Sequence, residues 1–372
     1  MLSRRTFLEI DLTAYINNLM FFSRKLSPTK VMAVVKSNAY GHGAIELSRV
    51  AIENGINKLA VAFVEEALEL REAGVKIPII VFNYFDPEYS KEVLANDLTI
   101  TIYSEQQFKR IKERVPEGLK VHLNVDTGMR RLGPDVESAL KLAKDIVDSG
   151  YFLEGVYTHF AVADERDESF SLRQLRDFRR FLESIRKIGI TIPIIHVANS
   201  AGALRFNCSE FDYARIGIAS YGLQPSEAFQ INELEPVLSW KSVVSYVKKL
   251  KKGDSISYGR TFIARKEMTV ATVPVGYGDG YNRKLSNRGE VLIGGKRCKI
   301  LGRVCMDQFV VDVSHLSKKP KIGDEVVLIG KQGEERITVE EIAKLIDTIN
   351  YEVTCTITSR VPRIYRRREN SR

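Results

Sequence analysis

Over the first two-thirds of the chain, short apolar runs alternate with segments whose apolar residues recur three and four apart. The runs that read as strands are VMAVV (31–35), LAVAF (59–63), IPIIVF (77–82), LTITI (98–102), LKVHLNVD (119–126), LEGVYTH (153–159), PIIHV (193–197) and YARIG (213–217). Most are separated by helical patterns. AIELSRVAIENG (44–55) places Leu47, Val50 and Ala51 on one face. VEEALELREAG (64–74) does the same with Ala67, Leu68 and Leu70, and Gly74 supplies a stop. Strands alternating with helices imply parallel crossover units. An open doubly wound sheet also alternates, but eight strands within about 190 residues favour a closed (β/α)8 barrel.

After about residue 230 the period changes from helix-like to strand-like. SWKSVVSYVKKL, MTVATVPVGYG, EVLIGG, KRCKILGRV, DQFVVDVS and DEVVLIG read as strands with Gly or Asp turns between them. Only ITVEEIAKLIDT (337–348) reads as a helix, with Thr338 as its cap and Glu341 three positions on. The fold class is therefore α/β: a barrel over 12–230 and a mostly-β domain over 231–372. There is no solenoid-length repeat and no low-complexity segment.

Composition changes this picture little. The balance of 44% hydrophobic and 28% charged residues is that of a globular enzyme. No apolar run reaches the roughly 18 residues that a membrane span needs. Glu9 and Asp11 interrupt MLSRRTFLEIDL, so it lacks a signal-peptide core. The expected compartment is the cytoplasm. There Cys208, Cys298, Cys305 and Cys355, none in a C-x-x-C pair, stay free thiols. Cys355, in VTCTI, reads as core. Much of the net charge of +9 lies in the tail RVPRIYRRRENSR, which reads as a solvated surface segment. It has no interleaved aromatics and no zinc finger, so neither nucleic acid nor a membrane is an expected partner.

The chemistry is expected at the strand ends, because barrel active sites sit on the C-terminal rim. Lys36 follows the first strand, Asn124 and Asp126 end the fifth, His159 ends the sixth, Asn199 and Ser200 follow the seventh, and Arg215 and Gly217 fall at the eighth. A desolvated rim lysine has a lowered pKa and becomes a nucleophilic amine, as Schiff-base chemistry requires. A merely solvated rim lysine fits the spacing equally well. Gly217 allows close backbone approach, and barrels often hold phosphate after strands seven and eight, where Ser200 adds a hydroxyl. GYGDG (276–280) does not match a dinucleotide fingerprint and reads as a turn. No two of the five histidines have H-x-x-x-H spacing, so no metal is expected. His122 and His196 lie inside strands and read as core or barrel wall, which leaves His159 as the functional histidine.

VVKSNAYGHG (34–43) resembles the pyridoxal-phosphate (PLP) attachment motif of alanine racemases. VDTGMRRLG (125–133), YTHFAVADE (157–165), HVANSAGAL (196–204), RIGIASYGL (215–223), SYG (257–259), VGYGDGY (275–281), GRVCMDQ (302–308) and INYEVTCTITSRVPR (349–363) resemble further blocks of that family in order, over almost the whole chain. The resemblance implies a PLP enzyme of fold type III, a homodimer with shared active sites, and a strand TFLEID (6–11) that joins the β domain. It implies Lys36 as Schiff-base lysine and one catalytic base, with Tyr258 as the opposite base, supplied by the partner subunit. Tyr40, Asn199, Ser200, Gly217, Ile218 and Tyr351 resemble the cofactor and phosphate site. Arg215 resembles the group facing the pyridine nitrogen, linked to His159. Arg131 and the Met306 amide resemble substrate-carboxylate contacts. Asp164, Tyr277, Arg283, Arg303 and Tyr351 resemble the substrate access channel. The implied reaction is two-base interconversion of L- and D-alanine, supplying D-alanine for peptidoglycan.

Two positions depart from the family pattern. Gly278 stands where alanine is usual, with little expected effect. Asn124 stands where many members carry a carbamylated lysine that braces the arginine equivalent to Arg131. A bound small anion, chloride being the simplest, is expected beside Asn124 and Arg131 instead. A broader amino-acid racemase is the nearest alternative. A fold-type-III decarboxylase typically has an acidic ring partner rather than arginine. A non-catalytic PLP carrier resembles the barrel alone, and a lysine aldolase needs no PLP.

Overall fold

The computed structural model describes residues 4–115 and 117–368. The chain divides into two compact units. One holds the residues up to Tyr15, Tyr40–His42, and those from Glu235 onward; the other holds Ile16–Ala39 and Gly43–Leu234.

The second unit is a closed eight-stranded parallel barrel. Numbering a preceding strand β1 (Phe7–Asp11), the barrel strands are β2 (Lys30–Val34), β3 (Leu59–Val61), β4 (Ile79–Val81), β5 (Leu98–Ile102), β6 (Lys120–Asn124), β7 (Phe152–Tyr157), β8 (Ile194–His196) and β9 (Tyr213–Ile216). Almost every strand residue is buried, as a sheet covered on both faces requires. All eight runs proposed from the sequence are strands, mostly shorter than their apolar stretch. The intervening helices are amphipathic. Ser169–Lys187 buries Leu175, Phe178, Phe181, Leu182 and Ile185 on one face. In Val64–Glu72, Val64, Ala67 and Leu70 are buried, whereas Leu68 is only half-buried.

One irregularity matters for the site. Between β6 and β7 the register slips: Val121 faces Leu153 but His122 faces Gly155, so Glu154 is an extra residue. A bulge of this kind re-aims a side chain.

The other unit is built on a ten-stranded sheet. β1 lies between Leu238–Val243, antiparallel, and Arg363–Arg366, parallel. The strand TFLEID thus joins the β unit. Thr338 caps the helix Val339–Ile346 by accepting from the Glu341 amide at 3.0 Å. Two expectations need correction. Asn350–Cys355 is a second helix, and Cys355 at its end is half-buried rather than core. The basic tail is at the surface as expected, with Arg366–Arg368 exposed, but it is paired rather than only solvated: Arg363–Arg366 is a strand, Arg366 pairs with Glu9 at 3.1 Å, and Arg368 pairs with Asp11 and Glu235. The remaining tail, 369–372, and the first three residues of MLSRRTFLEIDL lie outside the described residues. Among the described residues, no helix is long and apolar enough to cross a membrane.

Candidate active site

Lys36 follows β2 after a single residue, Val35, and opens a turn of unusual hand. Ser37, Asn38, Ala39 and Tyr40 all have φ between 51° and 54°. Left-handed backbone costs a non-glycine residue about 1–2 kcal/mol. Compensating bonds hold it. The Ala39 amide donates to Val35 O at 2.8 Å, the Ser37 amide donates to Glu66 Oε1 at 2.5 Å, and Asn38 Oδ1 accepts from the Ala44 amide at 2.8 Å. Strain held in this way is characteristic of functional segments.

Arg215, on β9, is almost fully buried. Its Nη1 donates to His196 Nδ1 at 2.8 Å. Its Nη2 donates to Val197 O at 2.8 Å, Thr158 O at 2.9 Å and His159 Nδ1 at 3.1 Å. The guanidinium also lies over the Tyr157 ring, which stacks on His196. Burial pulls the Arg215 pKa down to about 10, which leaves it charged at neutral pH. His159 is held well below the ordinary histidine value, first by burial, then by the charges of Arg215, Arg131 and Lys36. The same field therefore reaches His159 from all three cations. Burial, followed by the Arg215 charge, holds His196 well below its ordinary value too.

A small recess beside His159 is lined by Asn124, Asp126, Met129, Arg131 and Thr158. Asn124 is buried and its amide donates to Leu132 O at 3.1 Å. Asp126 spends Oδ1 on the amides of Gly128 and Arg130, at 2.8 and 3.1 Å, so it shapes the loop. After β8, Asn199 is an N-cap: Oδ1 accepts from the Gly202 amide at 2.9 Å. Ser200 Oγ accepts from the Gly217 amide at 3.1 Å, which leaves the hydroxyl proton available to donate elsewhere. Ile218 follows in a short 3₁₀ turn.

In the β unit, three loops converge. Ser257 Oγ donates to Arg303 O at 2.7 Å and lies 3.2 Å from Cys305 Sγ. The Tyr277 and Gly278 amides donate to Cys305 O and Met306 O at 3.0 and 2.9 Å. A Cβ on Gly276 would lie 2.2 Å from Cys305 O, so only glycine allows this approach. On Gly278 it would meet the Arg360 guanidinium, the movable end of a half-exposed side chain, so the departure there is mild. Tyr258 is 73% exposed and Met306 53%. Arg283 and, on the barrel unit, Asp164 are exposed; Arg303 is half-buried. Tyr40 and Tyr351 pack ring to ring, with centroids 6.0 Å apart.

A family model described as "Alanine racemase, N-terminal domain" matches residues 10–225, and one described as "Alanine racemase, C-terminal domain" matches residues 237–365. The chain belongs to the alanine racemase family. It is 43% identical to the alanine racemase of Methanococcus maripaludis, over 98% of this chain and all of that one. It is 42% identical to alanine racemase 1 of Bacillus subtilis, over 97% of this chain and 93% of that one. Among solved structures, it superposes on the Bacillus anthracis alanine racemase with bound L-Ala-P at a TM-score of 0.93 and 39% identity, covering all of this chain and 97% of that one. The chain is thus an enzyme, and the family's reaction is the racemisation of alanine.

His122 and His196 are fully buried and hydrogen-bonded inside the barrel, in line with the sequence reading. What that reading did not include is the contact of His196 with Arg215 and of His122 with Glu154. The available signal was a polar residue in mid-strand of a parallel barrel, where both faces are covered.

Proposed function

We propose that this alanine racemase uses PLP held on Lys36 and two bases, Lys36 and Tyr258 of the partner subunit, on opposite faces of the substrate Cα. The observation that carries this reading is geometric: Arg215 Nη2 lies 3.1 Å from His159, Arg131 lines the recess beside His159, and Lys36 opens the loop at the end of a strand of the same barrel.

The donor set fits the cofactor. Ser200 Oγ, with a proton to give, and the Gly217–Ile218 backbone suit a phosphate, with Tyr40 and Tyr351 as further donors. The four hydrogen bonds of Arg215 all leave from Nη1 and Nη2, so Nε takes part in none of them and can face a ring nitrogen. When bound, PLP supplies an electron sink that makes the Cα proton removable. Arg215 stays charged and only donates, so it would leave the ring nitrogen of a bound PLP unprotonated and limit side reactions more than speed racemisation. Lys36 removes or returns the proton on one face. Tyr258 of the partner subunit does so on the other, which removes the need for one base to swing. The exposure of Tyr258 supports a role across a homodimer. Arg131 and the Met306 amide bind the substrate carboxylate. Asp164, Tyr277, Arg283, Arg303 and Tyr351 line its access.

Asn124 carries no charge to brace Arg131, and Asp126 is engaged elsewhere, Oδ1 with backbone amides and Oδ2 with Arg130 at 3.5 Å. A chloride ion beside the second Asn124 amide hydrogen fills that role. The D-alanine formed supplies peptidoglycan, and the four thiols suit a reducing cytoplasm. Borohydride reduction of the PLP-loaded protein, followed by peptide mapping, should mark Lys36 with pyridoxyl. A mark on another lysine would overturn the assignment.

A further inference from the structure

The hydrogen bonds behind Arg215 continue through the barrel. His196 Nε2 lies 2.8 Å from His122 Nδ1. His122 Nε2 lies 2.9 Å from Glu154 Oε2. The same oxygen accepts from Lys58 Nζ at 3.0 Å and from Thr99 Oγ1 at 3.1 Å. Lys58 precedes β3, Glu154 sits early in β7, and Arg215 sits late in β9, so the chain runs from the strand starts towards the strand ends.

Donor and acceptor roles in this chain are forced. A guanidinium only donates. His196 Nδ1 therefore accepts, and its proton sits on Nε2. His122 Nδ1 must then accept, and its proton also sits on Nε2, directed at the carboxylate. Both rings are neutral and share one tautomer. Burial, which holds both below the ordinary histidine value, agrees.

Two backbone features coincide with this chain of hydrogen bonds. The bulge between β6 and β7 makes Glu154 the unpaired residue. Gly155, opposite His122, has ordinary backbone angles, yet a Cβ there would lie 2.5 Å from the His122 ring. Glycine is needed for space, and the space is filled by the imidazole.

We propose that Glu154 is a positioning residue for Arg215, acting through His122 and His196. The carboxylate fixes the His122 tautomer, which fixes that of His196, which presents a bare nitrogen to Arg215 Nη1. A reversed tautomer at either ring would set N–H against N–H and turn the guanidinium. The proposal rests on the reading of Arg215 as the ring-nitrogen partner only for its consequence in catalysis; the relay itself stands or falls separately.

The test uses the full-length protein, as purified, labelled with 15N-histidine. His122 and His196, assigned by single substitution, should each show a proton on Nε2 and a bare Nδ1, unchanged between pH 8 and pH 6. In the double variant Glu154→Leu/Lys58→Met, which removes both the charge and the acceptor for His122 without stranding the buried lysine, Arg215 guanidinium protons should exchange about tenfold faster, the factor that loss of one charged hydrogen bond implies. Gly155→Ala, which displaces His122 and keeps every charge, should do the same and decides the matter if the double variant does not fold. A proton on Nδ1 of either ring, titration within that range, or unchanged Arg215 exchange in the folded variants would overturn the relay. Arg215→Lys is the separate control: unchanged side-reaction frequency there would reject the ring-partner reading and leave the relay standing.

Discussion

His159 Nδ1 accepts from Arg215 Nη2 at 3.1 Å, so His159 carries its proton on Nε2 and is neutral. His196 is a second such ring on the same guanidinium, with His122 behind it. The arrangement places two neutral imidazoles directly on a permanent cation, where a second positive charge would be repelled.

Folding stability should therefore fall with acid earlier than carboxylates alone would cause. Unfolded histidines take up protons as pH drops through about 6.5. The folded rings, their pKa lowered, do not. The unfolded state then binds more protons, so acid favours it, by up to about 4 kcal/mol per pH unit if all three rings contribute. Glu154 adds a second phase. Its own burial opposes ionisation, but the His122 hydrogen bond and the Lys58 charge outweigh that and bring it to about 2. Its contribution is full above the ordinary value of 4.5 and is lost towards pH 2. Denaturant unfolding at pH 7.5, 6.5 and 5.5 measures the first phase. A flat profile there would mean that the rings are protonated in the fold.

Mixing inactive Lys36→Ala subunits with inactive Tyr258→Phe subunits should restore activity, because an exchanged dimer contains one site with both bases. At random exchange, about half of the dimers are mixed, each with one intact site in two. Assay before and after subunit exchange reads this directly. Proven exchange with no recovery would mean that each chain supplies both bases to its own site.

Activity should fall in chloride-free buffer and recover with chloride more than with a bulky anion at equal ionic strength. The cause is Asn124, whose amide keeps one hydrogen on Leu132 O and has one to offer an anion beside Arg131. KM is expected to rise more than kcat falls, since Arg131 is assigned to the substrate carboxylate. Kinetics indifferent to chloride would remove the anion from the account.

Much of this was legible in the sequence, for definite reasons. Strand-end polar residues such as Lys36, His159 and Arg215 stand out because they interrupt apolar runs at the point where a barrel opens. The Thr338 cap was legible because its geometry is local. The helix Asn350–Cys355 was not, since VTCTI has the β-branched composition of a strand and tertiary packing decides otherwise. The left-handed turn after Lys36 was hidden because only Asn38 of its four residues favours that conformation, and distant groups such as Glu66 hold it. Glu154 was hidden by the bulge. Simple alternation of strand faces gives no reason to aim it at His122, and only the register slip does so.

The most direct test of the central claim is the fate of the Cα proton in the first turnover. L-alanine is incubated in D2O, and the early D-alanine is separated by chiral chromatography and weighed by mass spectrometry. With Lys36 and Tyr258 of the partner subunit on opposite faces, the new proton comes from a group already exchanged with solvent. The first D-alanine should therefore carry deuterium at Cα. D-alanine that retains protium there would mean that one base returned the proton it took, and absence of D-alanine would contradict the racemase reading altogether.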